Sequence, residues 1–116
     1  MLSKIYLFSI LLPAVIIMSC SKSNGGGNTI DCSGGTKTFS GDVNPVIQST
    51  CAINTGCHGS GSTNGPGELI TYQDVFDNRS AIRTAILNGR MPKTGTLSSS
   101  QKNAIICWID SGAPNN

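Results

Sequence analysis

The chain has 116 residues, enough for one small domain. Eight Lys and Arg face six Asp and Glu, a net charge of +2, and only 12% of residues are charged, so nothing marks a nucleic-acid-binding or strongly anionic partner surface. A domain of this size is marginal on apolar burial alone and usually needs a staple, which directs attention to the five cysteines.

At the N-terminus, Lys4 precedes a nearly unbroken apolar run from Ile5 to Met18. The run is too short to span a bilayer comfortably and has the length of a signal-peptide core. It ends in "IIMSC", which resembles the bacterial lipoprotein signal, small residues before a cysteine. The resemblance implies a signal peptide over residues 1–19, lipid on Cys20, and a chain anchored to the cell envelope on its periplasmic or outer-surface face. An ordinary secretory signal cut nearby is the alternative. Both export the chain, so disulfides and covalent haem attachment are chemically permitted. Residues 20–35 are rich in Gly, Ser and Asn and poor in apolar side chains, the composition of a flexible linker. The folded domain is then expected over residues 36–116, without internal repeats.

Along that domain, "SGDVNPVIQSTC" reads as a helix start. Ser40 or Asp42 is placed to cap it, Pro45 suits a first turn, and Val43, Val46 and Ile47 recur at helical spacing. "GCHGSGSTNGPGEL" holds five glycines and a proline in fourteen residues and must be loop. "TYQDVFDNRSAIRTAILNG" predicts two helical pieces, the first started by Thr71 or Asp74 and the second by Asn78 or Ser80. Ile82, Ala85 and Ile86 give an apolar stripe, and Gly89 sits where a C-cap belongs. "RMPKTGTL" is irregular. In "SSSQKNAIICWIDSGAP" a serine caps a helix carrying Ile105, Trp108 and Ile109, and Gly112 and Pro114 end it. No segment alternates with period two. The expected fold is all-α, three to five short helices joined by glycine-rich loops.

Without the signal segment the chain keeps one histidine, His58, and one methionine, Met91. Alone, His58 is an ordinary loop histidine and Met91 an ordinary gap-filling side chain. Together they look different. The histidine directly follows Cys57, and the methionine precedes Pro92 in a loop before the last helix. Imidazole nitrogen and thioether sulfur are the axial pair of an electron-carrying c-type haem.

With those residues in view, the domain resembles a small class I cytochrome c of the kind found in bacterial lipoproteins. The matching text is "FSGDVNPVIQSTC", "GCHG", "AIRTAILNGRMP" and "LSSSQKNAIICWIDSGAP". The resemblance implies one covalently attached haem c, thioether positions at Cys51 and Cys57, a proximal iron ligand at His58 and a distal one at Met91. It also implies inter-helix and haem-wall contacts from Phe39, Val43 and Trp108. The expected haem pocket further includes Val46, Ile47, Leu69, Phe76, Ile82, Ile86, Leu97 and Ile105, with the cofactor supplying much of the core. The implied function is single-electron transfer to redox partner proteins of an exported chain, without catalytic residues and without nucleic acid.

One feature departs from the family pattern. In C-x-x-C-H the cysteines are about one helical turn apart, whereas "CAINTGCH" adds three residues. An unbroken helix would separate Cys51 and Cys57 by about 9 Å along its axis. Both sulfurs reach one haem edge only if the segment loops out, for which Asn54, Thr55 and Gly56 are suitable. Attachment through Cys57 alone is the variant. If both cysteines hold haem, Cys32 and Cys107 are left as a disulfide pair. The competing account is a haem-free helical surface module that binds protein or glycan, stapled by two bridges such as 32–107 and 51–57. Zinc is disfavoured, because adjacent Cys57 and His58 do not easily share one tetrahedral ion.

Overall fold

The computed structural model describes residues 29–116. The expected signal peptide, the lipid-bearing Cys20 and the linker as far as residue 28 lie outside the described residues. Within them every regular element is helical: α1 at 39–51, α2 at Tyr72–Asp77, α3 at Arg79–Leu87 and α4 at Ser99–Asp110. The fold class is all-α.

Helix α1 is a run of three pieces, a π turn at Phe39–Val43, a short α segment at Asn44–Val46 and a second π turn at Ile47–Cys51. Pro45 lies inside this run rather than in a first turn. It has no N–H to donate, and the turns around it are wide. Val43 N–H reaches back five residues to the Thr38 carbonyl (3.2 Å), and Ala52 N–H likewise to Ile47 (2.8 Å). The cap is Thr38, earlier than the expected Ser40 or Asp42. Its hydroxyl accepts from Gly41 N–H, while the Asp42 carboxylate accepts from Thr38 N–H (2.8 Å) and hydroxyl (3.1 Å). Those bonds, the backbone one foremost, hold the Asp42 carboxyl below its ordinary pKa.

Helices α2 and α4 each begin with a capping box, Thr71 with Asp74 and Ser98 with Gln101. Asn78 is the hinge between α2 and α3 and caps α3 without using its side chain. Gly89, with φ of +71°, ends α3 in the left-handed region that disfavours a side chain. Gly112 does the same after α4, and Ala113 follows it at φ 52°, completely buried.

The core is one cluster in which α4 is the centre. Ala104, Ile105, Ile106, Cys107 and Trp108 are all buried, so this helix presents little but its ends to solvent. Its partners are Phe39, Val43 and Ile47 from α1, Val75 from α2, and Ile82 and Ile86 from α3. Phe39, Tyr72, Phe76 and Trp108 pack as a group in edge-to-face and tilted pairs, with Phe39 5.1 Å from Tyr72 and 5.5 Å from Trp108 between ring centroids. Such pairs add roughly 0.5–1.5 kcal/mol each beyond their area. Trp108 Nε1–H donates to the Pro114 carbonyl and Tyr72 hydroxyl to that of Ala113, both at 2.9 Å. The tail they hold continues to Asn116, which accepts from Phe39 N–H and Ser40 N–H. The last residue thereby satisfies donors that the first turn of α1 leaves open.

Cys32 and Cys107 form a disulfide across 75 residues, Cα to Cα 5.5 Å. Closing a loop of that length restrains the unfolded chain by about 4 kcal/mol. It also corrects the extent of the linker. Ile30 already packs on the core, and Asp31 N–H donates to Asn103 on α4 (3.2 Å), so the chain is docked several residues before position 36.

A candidate haem-binding cleft

The last turn of α1 delivers Cys51, and the chain then leaves the helix. Residues 52–57 form a side loop that closes on itself: Asn54 carbonyl accepts from Cys57 N–H (3.0 Å) and Gly59 N–H (2.8 Å), and Asn54 Oδ1 accepts from Cys57 N–H as well (3.1 Å). At its exit His58 N–H donates to the Cys51 carbonyl at 3.0 Å. In an unbroken C-x-x-C-H helix that same bond would join the histidine to the first cysteine four residues back. Here it spans seven positions, and the extra residues project outward, with Ile53 half exposed.

The glycine-rich strap after His58 holds the imidazole. Leu69 N–H donates to the His58 carbonyl (2.8 Å), the Asn64 amide donates to Gly56 (3.0 Å), and the buried Ser62 hydroxyl donates to the Cys57 carbonyl. His58 itself is buried, and its Nδ1 lies 2.8 Å from the Gly67 carbonyl. A carbonyl can only accept, so Nδ1 carries the proton, and the lone pair of a neutral ring then lies on Nε2. This is the tautomer a metal-ligating histidine needs, with its other nitrogen tied to a backbone oxygen.

Met91 arrives from the other side. After Gly89 reverses the chain, Arg90 N–H donates to Asn88 Oδ1 (3.1 Å) and Met91 N–H to the Ala85 carbonyl (3.1 Å), which seats the methionine beside α3. The Met91–Pro92 peptide is cis.

Between strap and methionine loop lies a cleft in two adjoining parts, about 370 Å³ and 280 Å³. Cys51, His58, Gly65, Met91 and Pro92 line both, and Cys57 lines the larger. The structure therefore brings the four residues singled out in the sequence to one opening. Leu69, Ala81, Ile82 and Ala85 supply an apolar wall, Arg90 and Lys93 stand at the rim, and no carboxylate lines either part. Cys51 and Cys57 are free thiols. Burial, with the nearby Cys57 adding to it, pushes the Cys51 thiol up to about 11, so it stays protonated at neutral pH.

Several expectations for the pocket wall do not hold. Phe39, Val43, Val46, Ile47, Phe76, Ile105 and Trp108 pack in or against the helical core and do not line the cleft; only Leu69 and Ile82 do, while Ile86 and Leu97 lie in a smaller hollow behind Met91. Nor does a cofactor have to fill the centre of the domain, because the four aromatic rings already do. The reason is geometric: the wide turns of α1 aim Phe39 and Val43 at α4. Sequence reasoning also passed over Ser62, Asn64 and Gly67, and took Asn54 only as a loop former, from the turn-forming composition of the Asn-Thr-Gly run; the bonds of the first three join loop segments that no local pattern connects.

Compared with known proteins, the chain matches no family model, no curated protein and no solved structure. Among the described residues no group of three or more His, Cys, Asp or Glu side chains is arranged to hold a metal ion. A haem does not require one, since the porphyrin brings four of the six iron ligands.

Proposed function

We propose that this chain is a monohaem c-type cytochrome, a single-electron carrier tethered to the cell envelope by lipid on Cys20, with a cytochrome c-like domain. The observation that carries the reading is the meeting of Cys51, Cys57, His58 and Met91 at one cleft, with the His58 tautomer set by Gly67. The donor set fits haem c: two thiols would take its two vinyl groups, and one imidazole nitrogen and one thioether sulfur would hold its iron. Two rim cations suit its two carboxylates, and an apolar wall suits its ring.

Haem bound there supplies a one-electron ferric–ferrous couple. The chain's own residues do the rest. Gly67 keeps Nδ1 protonated and the ring fixed, which presents Nε2 as donor. The soft Met91 sulfur favours the reduced iron, and the bond from its N–H to Ala85 holds it beside α3. Leu69, Ile82 and Ala85 exclude water from one side of the cleft. Arg90 and Lys93 balance anionic charge at the rim. No residue is assigned a catalytic role, and the partners are other redox proteins of the exported chain.

The test is expression in a periplasm equipped for haem attachment, followed by intact mass and absorption spectra. A mass raised by one haem and a sharp α-band on reduction are expected. Met91→Ala should keep the mass increase but lose the long-wavelength sulfur–iron band. A chain with neither added mass nor α-band is instead the haem-free stapled module.

A further inference from the structure

We propose that Asn54 is the positioning residue that makes the long C-x5-C-H spacing equivalent to the short one, by pinning the insert as a closed side loop. The inference rests on the haem reading for its purpose but on separate observations for its geometry. Three hydrogen bonds converge on Asn54, from Cys57 N–H to its carbonyl (3.0 Å) and Oδ1 (3.1 Å), and from Gly59 N–H to its carbonyl (2.8 Å). The approach is so close that a Cβ on Gly59 would lie 2.6 Å from the Asn54 carbonyl carbon and 2.7 Å from its oxygen. Those are backbone atoms that cannot step aside, so position 59 has to be glycine for the loop to close. With the loop closed, His58 N–H falls on the Cys51 carbonyl, the bond that an uninterrupted turn would make. Everything downstream of the insert, Cys57 sulfur and His58 ring included, then faces the cleft as it would after a three-residue spacing.

The consequence is that both cysteines attach. In each addition the thiol sulfur bonds the inner vinyl carbon and the thiol hydrogen ends on the terminal carbon. No electrons are gained or lost overall, and no further reactant is needed. A loop that opens would carry Cys57 and His58 away from Cys51 and leave the chain with one thioether.

Four variants of the full chain test this: Asn54→Ala, Asn54→Asp, Gly59→Ala and deletion of Ile53, Asn54 and Thr55, which leaves Cys-Ala-Gly-Cys-His. After haem loading, the wild type, Asn54→Asp (which keeps the acceptor oxygen) and the deletion should show no alkylatable thiol in denaturant and one α-band position. Gly59→Ala should expose one thiol, at Cys51, and shift the α-band to the red. Asn54→Ala should do so in part of the molecules. Hydrogen exchange on the haem-free chain reads the loop directly. The Cys57 amide should exchange roughly fivefold faster in Asn54→Ala, the factor for losing one ordinary hydrogen bond, and faster still in Gly59→Ala. Two thioethers together with unchanged exchange in Gly59→Ala overturn the proposal, as does a free thiol in the deletion. A wild-type chain that takes no haem at all defeats the cytochrome reading instead, and amide exchange then still decides the role of Asn54.

Discussion

The two halves of this small domain are held by different forces. On one side α1, α2, α4 and the C-terminal tail pack around four aromatic rings and a row of isoleucines, closed by the Cys32–Cys107 bridge. On the other, the strap and the methionine loop bury few apolar side chains; Asn54, Ser62 and Asn64 hold the strap through side-chain bonds to backbone, and Met91 N–H on the Ala85 carbonyl holds the methionine loop. Apolar burial is additive and insensitive to a few tenths of an ångström, whereas each polar hook adds only about 1 kcal/mol and depends on its geometry. The stable half thus serves as a platform, and the half that carries the cleft keeps the looser hold.

The largest effect that would break this contrast is at Trp108. It is fully buried, and Trp108→Ala also removes the bond to Pro114, so a loss of about 5 kcal/mol in urea unfolding is expected, enough to unfold a marginal domain. Replacing Cys32 and Cys107 together by serine should lower the same free energy by about 4 kcal/mol, because the unfolded chain regains the freedom of a 75-residue loop.

The cleft half should respond to pH in the haem-free protein. The Cys51 thiol is raised from 9.0 to about 11 in the fold, so the unfolded chain loses its proton first. Its contribution, about 2–3 kcal/mol, is complete below pH 9 and disappears as pH climbs to 11. Cys51→Ala should flatten that alkaline slope, and a slope unchanged by the substitution would show that burial of this thiol is not its source. The smallest effect is at Asn64, whose amide ties the strap to Gly56. Asn64→Ala should cost about 1 kcal/mol, read as faster exchange of strap amides with little change in the global transition. A global loss as large as that of Trp108→Ala would mean that the two halves unfold as one unit.

Much of the helical half was legible along the chain because its signals are local. The start of α2 at Thr71 or Asp74, the serine cap of α4, the Ile82–Ala85–Ile86 stripe and the stops at Gly89 and Gly112 all act within one or two turns. The start of α1 was misplaced because Pro45 suggested a first turn, while the fold accommodates it within the run between wide π turns. At the cleft, the pairing of Cys57 with His58 and the isolation of Met91 pointed to residues that the fold brings to one opening. The pocket wall was misread because helical spacing says which residues share a face, not what that face meets.

What the sequence determined by itself, then, is the set of helices and the four residues that meet at the cleft, since caps, periodicity and residue chemistry operate over a few positions. Only the tertiary structure decided that "CAINTGCH" closes rather than stretches. That outcome depends on His58 N–H meeting Cys51, on the Asn64 amide reaching Gly56 and on a bare glycine at 59 against the Asn54 carbonyl, contacts that form only once the chain has turned back on itself.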